Sequence, residues 1–105
     1  MFDGAAVIIV RFWFRCHPGR AEDAVAALLP VIPASRALPG VVSVDFGRDI
    51  ADPDAFIATE IYEDRAALDR QLELSETQAA LAALRDGIVA ERHSLIHHVA
   101  RSEGF

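Results

Sequence analysis

The stretch from Ala5 to Cys16 constrains the fold more than any other part of this sequence. It reads AAVIIVRFWFRC, and its β-branched and aromatic side chains are typical of a β-strand. Alternate residues of a strand point to opposite faces of the sheet, and here both sets are largely apolar. One set contains Ile8, Val10, Phe12 and Phe14, and the other contains Val7, Ile9 and Trp13. We therefore expect a central strand that is covered on both faces.

The segment after this strand predicts a helix. Arg20 to Leu38 places apolar residues along one helical stripe, and Pro30 and Pro33 are expected to kink or break its last turns. Leu38-Pro39-Gly40 is a sharp break that separates this helix from the next element.

Two strands and a turn follow. Val41 to Ile50 alternates well enough to form a strand, and Phe56 to Tyr62 is rich in β-branched and aromatic residues. Ala51-Asp52-Pro53-Asp54 between them is a strong turn signal. The two strands are therefore expected to form an antiparallel hairpin.

The last third of the chain predicts two helices and a strand. Asp64 can cap a short helix, and Ser75 with Gln78 has the capping-box spacing for a second helix. Apolar residues at helical spacing extend that second helix to about Arg92, with Gly87 weakening its interior modestly. Leu95 to Arg101 is expected to form the final strand.

This order, β-α-β-β-α-β, predicts an α+β ferredoxin-like fold with a four-stranded antiparallel sheet and helices on one face. The 105 residues suit a single domain spanning 1–105, with its core at about 5–101. Because the first strand is apolar on both sides, the face without helices would be a large exposed patch in a monomer. We therefore expect a homodimer in which sheet faces sheet.

Charge and composition narrow the function classes. The net charge of −6 argues against a nucleic-acid or anionic-membrane surface, since both need clustered cations. All ten cations are arginine, so Schiff-base chemistry on lysine is excluded; this usage with abundant alanine suggests a GC-rich bacterial source. Cys16 is the single cysteine and no zinc-ligand cluster stands out, which favours a reducing cytoplasm and no metal. We expect neither a membrane anchor nor a signal peptide.

Several motifs together resemble the antibiotic biosynthesis monooxygenase family of dimeric α+β-barrel proteins. They are His17-Pro18-Gly19 after the first strand, Arg36-Ala37-Leu38-Pro39-Gly40-Val41 before the second, the Asp52-Pro53 turn, and Glu60-Ile61-Tyr62-Glu63-Asp64-Arg65-Ala66-Ala67-Leu68 ahead of Ser75. The resemblance implies a homodimer and a cofactor-free oxygenase of quinols, anthrones or polyketide-like aromatics. Family members often have Trp where this chain has Tyr62 and His where it has Gln71, which we place among the substrate-binding candidates.

Oxygenation without a cofactor requires an apolar pocket, a base, and a donor for the developing oxyanion. His97 and His98 are the candidate bases, and because they are adjacent on a strand they point to opposite faces, so at most one can line a given pocket. Both are also explained as ordinary strand histidines. His93 is expected near a helix end, where a cation complements the helix dipole.

A second set of candidates lies on the two probable central strands. Arg11 and Trp13 share one face of the first strand, and Glu60 and Tyr62 share one face of another. If these faces coincide, Arg11 can neutralise Glu60. Tyr62 and Arg11 can then hold the oxyanion, and Trp13 can stack on an aromatic substrate. A buried ion pair among core or dimer-seam aromatics explains the same residues.

Asp45, on the second strand, is a further polar candidate for substrate binding, although solvation of an edge strand explains it equally well.

A different class of function also fits this scaffold. The absence of the family's helix histidines favours a non-catalytic binding or accessory protein. A titratable group with a perturbed pKa beside an apolar wall would favour the enzyme, and a cavity lined by carbon alone would favour the binder.

Overall fold

The structure is a computed structural model that describes residues 6–105. Its elements in chain order are β1 (Val7–Cys16), α1 (Ala21–Leu28), α2 (Val31–Arg36), β2 (Val41–Asp49), β3 (Asp52–Tyr62), α3 (Arg65–Glu73), α4 (Ser75–Arg85) and β4 (Val89–Val99). The strands form one antiparallel sheet in the order β2-β3-β1-β4. The expected α+β ferredoxin-like fold is confirmed. The predicted start of the first strand at Ala5 lies outside the described residues.

β1 is central, as its sequence predicts, and pairs with β3 on one side and β4 on the other. Its even-numbered residues face the helices. Phe14 is buried in a cluster with α1 and α4 side chains, and Ile8 is buried in a second cluster with Leu68 of α3. Val10 and Phe12 pack against the margins of these clusters. The odd-numbered residues of β1 lie on the opposite face of the sheet, which no helix of residues 6–105 covers.

The predicted first helix is broken where the proline pattern suggests. α1 ends at Leu28, and α2 begins immediately after Pro30. Pro33 does not break the chain, because it lies in the first turn of α2, where backbone N–H groups lack intrahelical partners. The result is two short helices in place of one kinked helix.

Gly40 marks the predicted break between α2 and β2. Its φ is +82°, and a Cβ at this position would lie 2.8 Å from the Cβ of Ala67 in α3. Both the backbone conformation and the close approach require glycine. The Gly40 carbonyl also accepts a hydrogen bond from the Glu63 N–H, 2.8 Å away, which ties the start of β2 to the end of β3.

The predicted extension of the second helix to about Arg92 is wrong. α4 ends at Arg85, and Gly87, with φ of +79°, turns the chain directly into β4. β4 therefore begins at Val89, six residues before the predicted Leu95. His93 lies in the middle of this strand, so its predicted role at a helix end is also wrong.

One of the two predicted caps is confirmed. The Asp64 carboxylate accepts a hydrogen bond from the Ala67 N–H at 2.9 Å and caps α3. The capping box of Ser75 and Gln78 is wrong, because α3 and α4 are separated by Leu74 alone and Ser75 already lies inside α4. The Gln78 amide instead donates to the Leu72 carbonyl at 2.5 Å and links α4 back to α3.

The predicted antiparallel hairpin of β2 and β3 is confirmed, but its turn is tighter than expected. The chain reverses at residues 50–51, and β3 starts at Asp52, within the predicted turn. The Asp49 carboxylate accepts from the Ala51 N–H at 2.8 Å, which closes this turn locally.

Candidate functional site

A cavity of about 210 Å³ lies between the helices and the helix-facing side of the sheet. Its apolar wall consists of Val10, Phe12, Leu28, Val31, Phe46, Leu68, Leu72, Ala80, Leu81, Leu84 and Ile96. Its polar groups are Glu60, Gln71, Thr77, Arg92 and Ser94. This combination of a mostly apolar lining and a few polar groups is typical of small-molecule sites.

The register of the sheet determines which strand residues reach this cavity. Val10 lies opposite Glu60 on β3 and opposite Ile96 on β4. Directly opposite residues of antiparallel strands point to the same face, so all three face the helices. Two residues further along β1, Phe12 lies opposite Ser94, so Ser94 also faces the helices. β1 thus arranges the cavity floor.

Glu60 is the titratable group deepest in the fold on this floor. It is 8% exposed, and the Tyr62 hydroxyl donates a hydrogen bond to its carboxylate. Burial raises the pKa of Glu60 above its ordinary value, and the hydrogen bond from Tyr62 offsets part of that rise. A carboxyl group with a raised pKa beside an apolar wall can accept or return a proton closer to neutral pH than an exposed one.

Tyr62 does not line the cavity itself, but it holds Glu60 through the hydrogen bond from its hydroxyl. Its ring is completely buried with Ile8, Val44, Ala67 and Leu68. Burial, together with the adjacent Glu60 carboxylate, raises the pKa of the Tyr62 phenol. The phenol therefore stays protonated and acts as a hydrogen-bond donor to Glu60.

Gln71 lies on the helix side of the cavity and joins three helices. Its amide donates to Ser35 of α2 at 3.1 Å and to Thr77 at the start of α4 at 3.2 Å. All three side chains are buried, so each hydrogen bond replaces one that water would otherwise supply. The predicted candidate Gln71 thus lines the cavity together with Glu60, while its amide also holds the helical layer.

Arg11 and Trp13 do not meet Glu60 and Tyr62. Arg11 lies opposite Thr59 and Leu95, on the face without helices, whereas Glu60 and Tyr62 face the helices. The condition for the predicted Arg11–Glu60 ion pair is therefore not fulfilled, because neighbouring positions on paired strands point to opposite faces.

Trp13 is part of a separate cluster on the face without helices. Its ring stacks on that of His93 with 5.2 Å between centroids, and the Arg15 guanidinium lies 5.2 Å from its ring centre. The second contact has the geometry of a cation–π interaction. This placement puts Trp13 on the far side of the sheet from the cavity.

The two candidate bases also lie outside the cavity. His97 is opposite Ile9 on the face without helices, and His98 is opposite Ile8 on the helix-facing side. The predicted opposite orientation of the pair is found. His98 lines a shallow surface pocket near Glu63 and Arg65, beyond the end of the cavity. Each imidazole is exposed to solvent.

Asp45 also lies away from the cavity. It is on β2, the edge strand, and its carboxylate pairs with the Arg36 guanidinium at 3.1 Å. Both side chains are more than half exposed. The edge-strand explanation given for Asp45 fits this position.

A family model described as antibiotic biosynthesis monooxygenase matches residues 7–83, which is more than half of the chain. The chain belongs to the antibiotic biosynthesis monooxygenase family. The matched region runs from β1 into α4 and includes Glu60, Tyr62 and Gln71. The search of curated proteins found no significant match to this chain.

Solved structures share the fold at low sequence identity. A proposed antibiotic biosynthesis monooxygenase from Deinococcus radiodurans superposes with a TM-score of 0.83 at 18% identity, covering 93% of this chain and 97% of the other. A protein from Shewanella oneidensis gives 0.83 at 22%, covering 91% and 93%. A further antibiotic biosynthesis monooxygenase gives 0.79 at 17%, covering 88% and 97%. At these identities the likeness shows the fold.

In this member of the antibiotic biosynthesis monooxygenase family, sequence reasoning missed three polar groups of the cavity: Thr77, Arg92 and Ser94. Arg92 was missed because the predicted helix extends to about that residue, and Ser94 was missed because the predicted strand begins only at Leu95. The signal that could have identified them is the period-two alternation of Arg92, Ser94 and Ile96, which places all three on one face of a strand.

Among residues 6–105, no group of three or more His, Cys, Asp or Glu side chains is arranged to hold a metal ion. None of the helices in that range has the length and apolar character needed to cross a membrane.

Proposed function

We propose that this protein is a cofactor-independent monooxygenase that oxidises a quinol, an anthrone or a related polyketide-like aromatic in the cavity between sheet and helices. The observation that carries the proposal is Glu60, a buried carboxyl group whose pKa is raised and which adjoins an apolar wall. Such a group favours catalysis over simple binding, because a lining of carbon alone offers no proton acceptor. Membership of the family supplies the reaction class.

In the proposed reaction, the ionised Glu60 carboxylate removes a proton from the activated carbon or hydroxyl of the substrate. The resulting anion gives one electron to dioxygen, and the two radicals combine into a peroxide at the ring carbon. Loss of water from this peroxide leaves a carbonyl group. For an anthrone, a CH₂ group and O₂ become C=O and H₂O, so one oxygen atom enters the product and the substrate supplies all the electrons.

The base role belongs to Glu60 in this proposal, in place of His97 or His98, because neither imidazole lines the cavity. Tyr62 orients the Glu60 carboxylate through its hydrogen bond and favours the ionised form that accepts the proton. The apolar side chains Phe12 and Leu81 keep water away from the reacting anion.

Oxygen uptake by metal-stripped protein with a panel of quinols and anthrones tests the proposal. Uptake above a no-protein control is expected for the wild-type chain, and Glu60→Gln is expected to lose roughly 100-fold or more of the rate. The double variant His97→Ala/His98→Ala is the matched control and should keep its activity. If the wild-type chain consumes no oxygen with any member of the panel, the non-catalytic binding function replaces the enzymatic one.

We also propose a homodimer formed through the face of the sheet without helices, in a bacterial cytoplasm. Leu95 on that face is 56% exposed, and Ile9, Ile57 and Ile61 are half-buried on the same face as Trp13. A second copy of the same face would cover this apolar surface. The free thiol of Cys16 fits a reducing compartment.

A further inference from the structure

The open end of the cavity carries two arginines. Arg92 lies on β4 opposite Phe14 and lines the cavity itself. Arg85, in the last turn of α4, lines an adjoining pocket that shares Phe12, Leu84 and Arg92 with the cavity. Both side chains are exposed, so their guanidinium groups meet solvent where the cavity opens between α4 and β4.

Arg85 and Arg92 belong to the half of the arginines that have no ion-pair partner within residues 6–105. Five of the ten arginines form ion pairs with Asp or Glu: Arg15, Arg20, Arg36, Arg48 and Arg65. Within residues 6–105, neither Arg85 nor Arg92 has such a partner, although the sequence contains 16 acidic residues. Glu91 adjoins the same pocket, but its carboxylate is bound by Arg15. The cavity mouth is therefore a local cationic region of an acidic protein.

The opposite end of the cavity has a different character. Glu60 lies at the level of Val10, four residues along β1 from Phe14, the neighbour of Arg92. Their backbones are thus offset by roughly 13 Å along the strands and roughly 10 Å across them. A ligand that contacts both ends needs an anionic group at one end and a polar group at the other, with an apolar body between them.

The size of the cavity limits that body. A cavity of roughly 150 Å³ holds one benzene molecule, so the cavity here, at about 210 Å³, suits one or two fused rings. Among the proposed substrates, this size favours a one- or two-ring quinol over a three-ring anthrone. A carboxylate matches a guanidinium well, because it accepts two parallel N–H hydrogen bonds.

From this geometry we infer that the ligand of the cavity is a one- or two-ring aromatic carboxylate. Its carboxylate binds Arg92, assisted by Arg85, and its ring hydroxyl or activated carbon faces Glu60. The inference rests on the proposed function in that it assigns a substrate class to the same cavity. The arginines select the ligand and hold its orientation; they take no part in proton removal.

Calorimetric titration with two matched probes tests this inference without turnover. The probes are 6-hydroxy-2-naphthoate and 2-naphthol, which share the ring system and the hydroxyl and differ in the carboxylate at the far end. The wild-type chain is expected to bind the carboxylate about tenfold more tightly or better, which is the gain typical of a charge-assisted hydrogen bond. This preference should weaken as salt is added.

Variants assign the preference to the cavity mouth. Arg92→Gln should reduce the preference to about twofold or less while leaving the affinity for 2-naphthol unchanged, and Arg92→Lys should retain part of it. Arg101→Gln removes the same charge from a residue outside the cavity and should behave like the wild type.

Several outcomes would overturn the inference: equal affinity for the two probes, no binding of either probe, or an equal loss of affinity for both probes in the Arg92→Gln variant. The last result, together with a change in oligomeric state measured by light scattering, would assign Arg92 to a contact between copies. Because the titration needs no oxygen, a carboxylate preference without oxygen uptake would sustain the inference and refute the proposed monooxygenase. Uptake with neutral quinols without any carboxylate preference would do the reverse.

Discussion

At the scale of single residues, the central feature is a carboxyl group buried without a cation. Among the described side chains, only the Tyr62 hydroxyl forms a hydrogen bond with the Glu60 carboxylate. Burial is the main cause of the raised pKa of Glu60. The sequence indicates Glu60 and Tyr62 as a pair on one face of a central strand. Arg11, the candidate partner of Glu60, lies on the opposite face of the sheet. Whether the two residues share a face could not be predicted, because the register of a strand cannot be read from its own pattern.

Glu60 gives the folding stability a defined dependence on pH. Its folded-state pKa lies above the ordinary value of 4.5, so the folded chain binds this proton more tightly than the unfolded chain does. The corresponding stabilisation is fully present below pH 4.5 and is lost as pH rises through the raised pKa. Urea unfolding of the wild type and of Glu60→Gln across this window should show a decline in the wild type that the variant lacks.

Glu103→Gln is the control for this measurement, since it removes a carboxylate that is exposed near the end of the chain. Its stability profile should follow that of the wild type. A Glu60→Gln profile that runs parallel to that of the wild type over this window would mean that Glu60 does not carry the assigned burial cost.

At the scale of elements, the helical layer is held together by polar contacts as well as by apolar packing. Gln71 of α3 binds Ser35 of α2 and Thr77 of α4, and each partner is buried. The sequence indicates Gln71 as a site candidate through the family resemblance. Its contacts with Ser35 and Thr77 could not be predicted, because they depend on how three separate helices pack.

Gln71→Leu should lower the free energy of unfolding by about 1–3 kcal/mol, because it leaves the Ser35 and Thr77 hydroxyls buried without this partner. The triple variant Ser35→Ala/Gln71→Leu/Thr77→Val removes the polar groups together and should recover most of that loss. Chemical unfolding of both variants checks this. A triple variant that is less stable than Gln71→Leu would indicate that packing, and not hydrogen bonding, determines the cost.

The glycines at the loop ends allow backbone strain to be separated from steric contact. Gly40 and Gly19 have nearly the same φ, +82° and +81°, but a Cβ at Gly19 would meet nothing within 4 Å. Gly19→Ala should therefore cost about 1–2 kcal/mol, the cost of the left-handed conformation alone. Gly40→Ala should cost more, because its Cβ would lie 2.8 Å from Ala67. Equal thermal and urea stabilities of the two variants would contradict this.

The boundary of α4 and β4 shows where local sequence patterns fail. The hairpin and the cap at Asp64 depend on neighbouring residues, and both follow from the sequence. Residues 86–94 contain charged and small side chains that suit a helix and a strand equally well. The positive φ of Gly87 and the pairing of β4 with β1 decide between them, and that pairing depends on a strand more than seventy residues earlier.

At the scale of the whole molecule, the sheet has one face covered by helices and one face that no helix of residues 6–105 covers. The second face combines apolar side chains with the Trp13–His93–Arg15 cluster. β4 is exposed along nearly its whole length, on both faces. Because β1 is apolar on both faces, its sequence predicts that each face of the sheet packs against another layer of protein.

The proposed dimer predicts that a charge on this face separates the copies. Leu95→Arg should shift the mass measured by light scattering from that of a dimer to that of a monomer, because it adds a second cation directly opposite Arg11 on this face. Leu29→Arg is the matched control: Leu29 is 59% exposed on the helix side, compared with 56% for Leu95. A wild-type chain that is monomeric, or an equal effect of both variants, would refute the proposed interface.

The position of β1 in the centre of the sheet also has a consequence for how this sequence can change over time. Its even positions are constrained by the helices and its odd positions by whatever meets the other face, so the two sets can diverge independently by substitution. The insertion of a single residue would exchange the two sets and drive Arg11, Trp13 and Arg15 into the helix-facing core. We therefore expect β1 to tolerate a substitution at one position better than a change in its length.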